Sequence, residues 1–273
     1  MNNCIKISIN STTENEHEML IALMSDAGYD GFEETDAGVD AFIAEELFNQ
    51  LHLEALLQPF AKQYQKKIIA PKNWNAEWEA DYEPVVVDEF VAVRAHFNQP
   101  LKNVTHEIII TPKMSFGTGH HATTWQMMKL MQGIDFSNKT VFDFGCGTAV
   151  LAILAAKLNA TSVVAMDDDN LCIENSLENV QANDCTNIKV EKGNAPPPNQ
   201  TFDIILANIN RHILLENIQT IALALNSKGY LMVSGFSTEE SQLLIDATIM
   251  QGMQPIKISE RHKWSAVIFQ KFS

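Results

Sequence analysis

The stretch VFDFGCGTAVLAILAAKLNA, Val141 to Ala160, decides the fold. A short apolar run meets two glycines one residue apart, Gly145 and Gly147. An alanine- and leucine-rich run follows, of the length and character of a buried helix. A glycine turn between a buried strand and a buried helix brings backbone N–H groups close to a ligand. Two kinds of ligand use such a turn, a dinucleotide and a nucleoside sulfonium, and the rest of the chain has to choose between them.

Working outward, strand and helix patterns alternate from about residue 112. A helix is expected over His120–Met131. Then come TVFDF and VLAILAAKL, SVVAMD and CIENSLENVQAN, NIKVEK, FDIILAN and HILLENIQTIALAL, GYLMVSG and EESQLLIDATIM. The tail QPIKISE–RHKWSAVIFQ reads as an antiparallel pair. Such alternation predicts an α/β fold, a mostly parallel sheet with helices on both faces. The final hairpin is what a Rossmann-like methyltransferase sheet adds to a plain dinucleotide fold.

Upstream, CIKISIN alternates like a strand and Ser11–Ala27 like a helix stopped by Gly28. GFEET and VDAFIAEEL read as strands, Phe48–Tyr64 as a helix and KKIIA as a strand. The order β-α-β-β-α-β predicts a small ferredoxin-like domain over residues 1–70. A link over 71–95 carries Trp74, Trp78 and Tyr82 every four residues. That spacing is either a packing face or an aromatic lip over a site. Short strands are expected near VVV, FVAVRA and HEIIIT, and the catalytic domain over 96–273.

The chain has 273 residues, 46% of them hydrophobic, enough for one large or two smaller cores. No apolar run approaches the roughly 18 residues of a membrane span, so no membrane partner is expected. MNNCIKISIN has no basic region followed by an apolar block and predicts no signal peptide. Cys4, Cys146, Cys172 and Cys185 form no CxxC pair and read as free thiols in a reducing cytoplasm. Net charge is −15. Residues 1–90 hold 18 acids against 5 bases, and the remainder holds 16 against 14. The acidic part is either a solvated face or a docking surface for a basic partner. Direct nucleic-acid binding is disfavoured, because phosphates want Lys and Arg.

The dinucleotide fingerprint GxGxxG needs a third glycine, and Val150 stands there. The methyl-donor reading fares better. Asp143 gives D-x-G-x-G and is expected to organise the turn's N–H groups and reach the amino-acid end of S-adenosylmethionine. Asp167 closes the next strand with two acceptor oxygens suited to two ribose hydroxyls. Asp168 and Asp169 read as solvated helix-start residues. Asn208 ends FDIILAN, beside the transferred methyl or as a helix cap. Upstream, MSFGTGHHATT offers a flexible loop and the hydroxyls of Thr123 and Thr124. Adjacent His120 and His121 cannot easily share an ion, so no metal is expected.

FGTGHHATT, DFGCGTAVLAILAAKLNA, the Asp167 strand end and LANI, in this order, resemble the PrmA family of ribosomal protein methyltransferases. The resemblance covers nearly the whole chain, including the N-terminal domain and the W-x-x-x-W link. It implies methyl transfer from S-adenosylmethionine to amino groups, lysine side chains or the N-terminal amine, of a basic large-subunit ribosomal protein. Thr124, Gly145, Asp167 and Asn208 are implied contacts of the cofactor. There are departures: His120 for Thr, Ala122 for Pro, Ala149 for Gly, and Asn210-Arg211-His212 after the strand where the family reads L-A-G. Two other readings stand beside this one, a methyltransferase for a different acceptor and a non-catalytic nucleoside-binding protein.

Overall fold

The computed structural model of the chain describes residues 3–11, 13–60, 63–69, 82–113 and 115–272. Trp74 and Trp78, two of the three aromatics spaced by four, lie outside them. The chain divides into two compact units, Met1–Glu79 and Ala80–Ser273. No helix among the described residues is long and apolar enough to cross a membrane.

In the first unit, β1 (Cys4–Asn10), α1 (Glu14–Asp26), β2 (Gly31–Thr35), β3 (Gly38–Ala44), α2 (Gln50–Leu57) and β4 (Tyr64–Ile69) follow in the expected order. The sheet runs β2-β3-β1-β4, antiparallel throughout. Alternation along β1 buries Ile5, Ile7 and Ile9 with Leu20 and Met24 of α1 and Leu53 and Leu57 of α2. Two elements are shorter than their patterns. β3 stops at Ala44 and a 3₁₀ turn takes Glu45–Leu47. α2 starts only after Asn49, whose side chain accepts from His52 N at 3.1 Å, and gives way to a 3₁₀ turn at Gln58–Phe60. Pro59 has no N–H to continue the helical ladder.

The second unit opens with β5 (Val85–Val87), β6 (Val91–Ala95) and β7 (His106–Ile110), a three-stranded sheet in that order. β5 and β6 fall in the stretch read as a link. Their valines are the reason they pack instead: Val87, Val91 and Val93 are fully buried. Helix α3 (Ala122–Met131) leads into the main sheet. Its strands and helices are β8 (Thr140–Phe144), α4 (Val150–Lys157), β9 (Ser162–Asp167), α5 (Asn170–Ala182), β10 (Ile188–Lys192), β11 (Phe202–Asn208), α6 (Arg211–Ala224), β12 (Leu225–Ser237), α7 (Ser241–Ile249), β13 (Met253–Arg261) and β14 (Trp264–Lys271). Sheet order is β10-β9-β8-β11-β12-β14-β13. The first five strands are parallel, and β14 is antiparallel to both neighbours. Val141, Ile204 and Leu206 pack on the α3 and α4 side, whereas Phe142, Phe144, Ile205 and Ala207 pack on the α6 and α7 side. Both faces are covered, hence the near-continuous apolar strands. Strand order reverses between β8 and β11, which opens a crevice at their carboxyl ends.

Helix α5 also completes the free edge of β7. Asn183 both accepts from Ile109 N (2.9 Å) and donates to Ile109 O (2.6 Å). Asn179 accepts from Thr111 N (2.8 Å), and Asn175 donates to Thr111 O (3.0 Å). Three side-chain amides, four residues apart, stand in for a neighbouring strand.

Ala149 precedes α4 with φ 61° and ψ 20°, in the left-handed region, and is fully buried. A Cβ there costs about 1–2 kcal/mol. A glycine would adopt this conformation without that cost. Ala149→Gly should raise unfolding free energy by about 1 kcal/mol, since the relief exceeds the extra entropy of the unfolded glycine. Urea denaturation checks this; an unchanged or lower midpoint would show that the turn carries no such strain.

Candidate active site

The glycine turn does not hold spare donors for phosphates. Gly145 N and Cys146 N both donate to Met166 O, at 2.8 and 2.9 Å. Gly147 N donates to Asp167 Oδ2 at 2.9 Å. Thr148 N reaches Phe116 O at 3.0 Å and Ala149 N reaches Cys146 O at 2.8 Å. Five consecutive amides are thus spent inside the protein. The glycines serve packing: Gly145 (φ 71°) and Gly147 (φ 55°) are left-handed, and a Cβ on them would lie 2.2 Å from Ile209 Cγ2 and 2.3 Å from Phe116 O. The expectation that the turn lends its N–H groups to a ligand is corrected accordingly.

A cleft of about 420 Å³ opens beside this turn, at the carboxyl ends of β8, β9 and β11. Thr124, Asp143, Gly145, Gly147, Asp167 and Asn208, the six residues singled out from the sequence, all line it. Asp143 is only 1% exposed and accepts from Ala152 N of α4 at 3.0 Å, not from a turn amide. Burial pushes its carboxyl up to about 7 against that hydrogen bond, and the charge of Asp167 adds to the rise. Asp167 also accepts from Asp169 N at 3.1 Å. Each of its oxygens retains a further lone pair.

Asn208 donates through Nδ2 to Thr124 Oγ1 at 3.1 Å, and its Oδ1 is buried with no hydrogen-bond partner among the described residues. A buried amide oxygen left open in this way is costly unless something else fills it.

The cleft has further walls that the sequence reading did not assign to it: Phe116, His121, Asp168, Asn194, Ile209 and Trp264. The His121 ring meets Trp264 edge-on at 4.8 Å and Phe116 at 5.4 Å. Asp168, read as a solvated helix-start residue, faces the cleft; Asp169 alone caps α5, accepting from Leu171 N at 2.8 Å. The two adjacent histidines turn to different partners. His120 contacts Glu83 O and Thr118 Oγ1, and His121 contacts Thr123 Oγ1. His121 sat inside the quoted FGTGHHATT and could have been found there. Trp264, a lone aromatic at the start of a strand, gave no signal. Of the departures after Asn208, Asn210 lines the cleft and Arg211 pairs with Glu240 at 3.0 Å.

The cleft suits a ligand that brings a cation and hydroxyls. It presents three carboxyl groups (Asp143, Asp167 and Asp168) and an open amide oxygen, and the turn amides beside it are already paired. With the sheet order, the single strand inserted antiparallel near one edge and the acid after the second strand, these features define a class I S-adenosylmethionine-dependent methyltransferase of Rossmann-like fold. Comparison with known proteins narrows this. The family model described as Ribosomal protein L11 methyltransferase (PrmA) matches residues 3–272. A ribosomal protein L11 methyltransferase of Porphyromonas gingivalis is 36% identical over 266 residues, covering 94% of this chain and 92% of that one. One from Chlorobaculum tepidum is 37% identical over 218 residues, 75% of either chain. The solved ribosomal protein L11 methylase of Lactobacillus delbrueckii subsp. bulgaricus superposes with a TM-score of 0.65 at 26% identity, over 70% of this chain and 100% of that one. The chain belongs to the ribosomal protein L11 methyltransferase family.

The raised carboxyl of Asp143 sets a pH dependence. Between its ordinary value of 3.8 and about 7, the folded state keeps a proton that the unfolded chain has lost. Stability from this group therefore falls as pH rises across that window and is level above it. Asp143→Asn, neutral throughout, should flatten that part of the profile. Urea midpoints at a series of pH values test this; a variant that keeps the wild-type slope would show that Asp143 is ionised when folded.

Proposed function

We propose that this cleft transfers methyl groups from S-adenosylmethionine to amino groups of ribosomal protein L11, on lysine side chains or the N-terminal amine. The observation that carries the reading is Asn208. Its amide nitrogen is tied to Thr124 and its buried oxygen is open to accept an N–H. In this reading Asp167 and Thr124 help hold the cofactor, with Asp143 beneath them. Asn208 orients the arriving amine or the donor.

Bound S-adenosylmethionine supplies an electrophilic methyl on a sulfonium that departs as a neutral thioether. The chain need not stabilise an oxyanion. It has to align the amine at near-attack distance and keep it neutral. A free lysine amine has a pKa of about 10.4. Apolar walls such as Phe116, Ile209 and Trp264 favour the neutral form by desolvating it. We therefore assign no general base.

Calorimetry with S-adenosylmethionine, its demethylated product and NAD tests the cofactor assignment. The first two should bind and NAD should not. Asp167→Ala should weaken binding by about 1.5–3 kcal/mol for each charged hydrogen bond lost. Unchanged affinity would remove Asp167 from the cofactor's contacts.

The first 90 residues carry the acidic excess, and the six candidate contacts all lie beyond residue 111. We infer that the N-terminal unit docks the basic substrate and the remainder performs the chemistry. Attraction of this kind steers encounter and weakens with salt. A variant lacking residues 1–70 should bind S-adenosylmethionine normally and lose methylation of intact ribosomal protein L11. A full-length rate from the truncated enzyme would reduce the acidic surface to a solubilising role.

A further inference from the structure

Helix α3 carries a buried amide whose two ends are both spent on the last hairpin. Gln126 has 0% exposure. Its Nε2 donates to Trp264 O at 3.1 Å, and its Oε1 accepts from Ser259 Oγ at 3.0 Å. The neighbouring buried positions of this helix hold Met127, Met128 and Leu130. An apolar side chain would serve packing alone, and a buried amide is neutral at best unless both ends are bonded. Here both ends are bonded, to two strands of one hairpin.

That hairpin needs holding. Only His262 and Lys263 join β13 to β14, with φ 50° and 66°. Left-handed conformation at both turn positions is the geometry Asn-Gly adopts readily and His-Lys does not. Trp264 follows at once, and its indole lines the cleft against His121, the residue that caps α3. The same helix holds Asn208 through Thr124. One helix therefore sets the open amide oxygen and the indole on the same side of the cleft.

We propose that Gln126 is a positioning residue for methyl transfer: it fixes the backbone of Trp264 and thereby places the indole wall past which the acceptor amine enters. This rests on the methyltransferase reading above. Through two hydrogen bonds it determines where Trp264 stands, and it touches neither cofactor nor acceptor itself.

The test is a double-mutant cycle on methylation of purified ribosomal protein L11, with cofactor affinity measured in parallel by calorimetry. Gln126→Met, near-isosteric, should lower kcat/KM for the protein roughly tenfold, the equivalent of one to two hydrogen bonds. Affinity for S-adenosylmethionine should stay at the wild-type level. In a Trp264→Ala background the same change should produce no further loss, because its effect passes through the indole. If Gln126→Met does not fold, Gln126→Leu, which likewise removes both hydrogen bonds, enters the same cycle. Adding His262→Asn and Lys263→Gly to Gln126→Met should relax the turn and raise stability without restoring kcat/KM. Full activity of Gln126→Met, additive losses with Trp264→Ala, or rescue by the relaxed turn would each overturn the positioning role. A wild-type chain that methylates no ribosomal protein would instead overturn the functional reading beneath it.

Discussion

One carbonyl organises the site. Met166 O receives N–H groups from both Gly145 and Cys146, using both of its lone pairs. This pins the turn after β8 to the last residues of β9. Asp167, the next residue, comes to lie under Gly147 and takes its amide. A turn drawn back this far must pass through left-handed conformations, and it leaves a notch with no room for side chains. Ile209 fills the notch from β11, and the backbone of Phe116 closes it from the other side. The cleft is the space left over once these three segments have met.

Electrostatics follow from the same closure. Asp143 is sealed beneath α4 with one backbone donor and a second carboxylate nearby, so it holds a proton into the neutral range. Asp167 sits one layer out, with two backbone donors of its own. The two acids thus have different environments, and the outer one keeps lone pairs open beside the cleft.

The strand and helix order was legible because each pattern has its own period. Alternation in CIKISIN and continuous apolar runs in TVFDF and FDIILAN depend on which faces are covered, and the structure covers those faces. Asp143, Gly145, Gly147, Asp167 and Asn208 were legible because strand carboxyl ends converge at a reversal of strand order, whereas Thr124 lies on α3 and came from the FGTGHHATT segment. What was hidden depends on partners distant in sequence. Gly145 looked like a place for a ligand because nothing in the sequence announces Ile209. Asp143 looked like an organiser of the turn because its donor, Ala152 N, is an ordinary helix amide. Trp264 and Gln126 are 138 residues apart and belong to no shared motif. α2 ran short because a single proline outweighed a sound apolar pattern.

The asparagines of α5 bear on how this chain tolerates change in length. Four residues of helix advance about 6 Å, and two residues of strand advance about 6.7 Å. The near-match lets Asn175, Asn179 and Asn183 keep step with Thr111 and Ile109. A single residue inserted between Asn175 and Asn183, or between Ile109 and Thr111, would throw the two out of phase and turn at least one amide away from the strand. These two spacings are therefore locked together, like the teeth of two engaged racks.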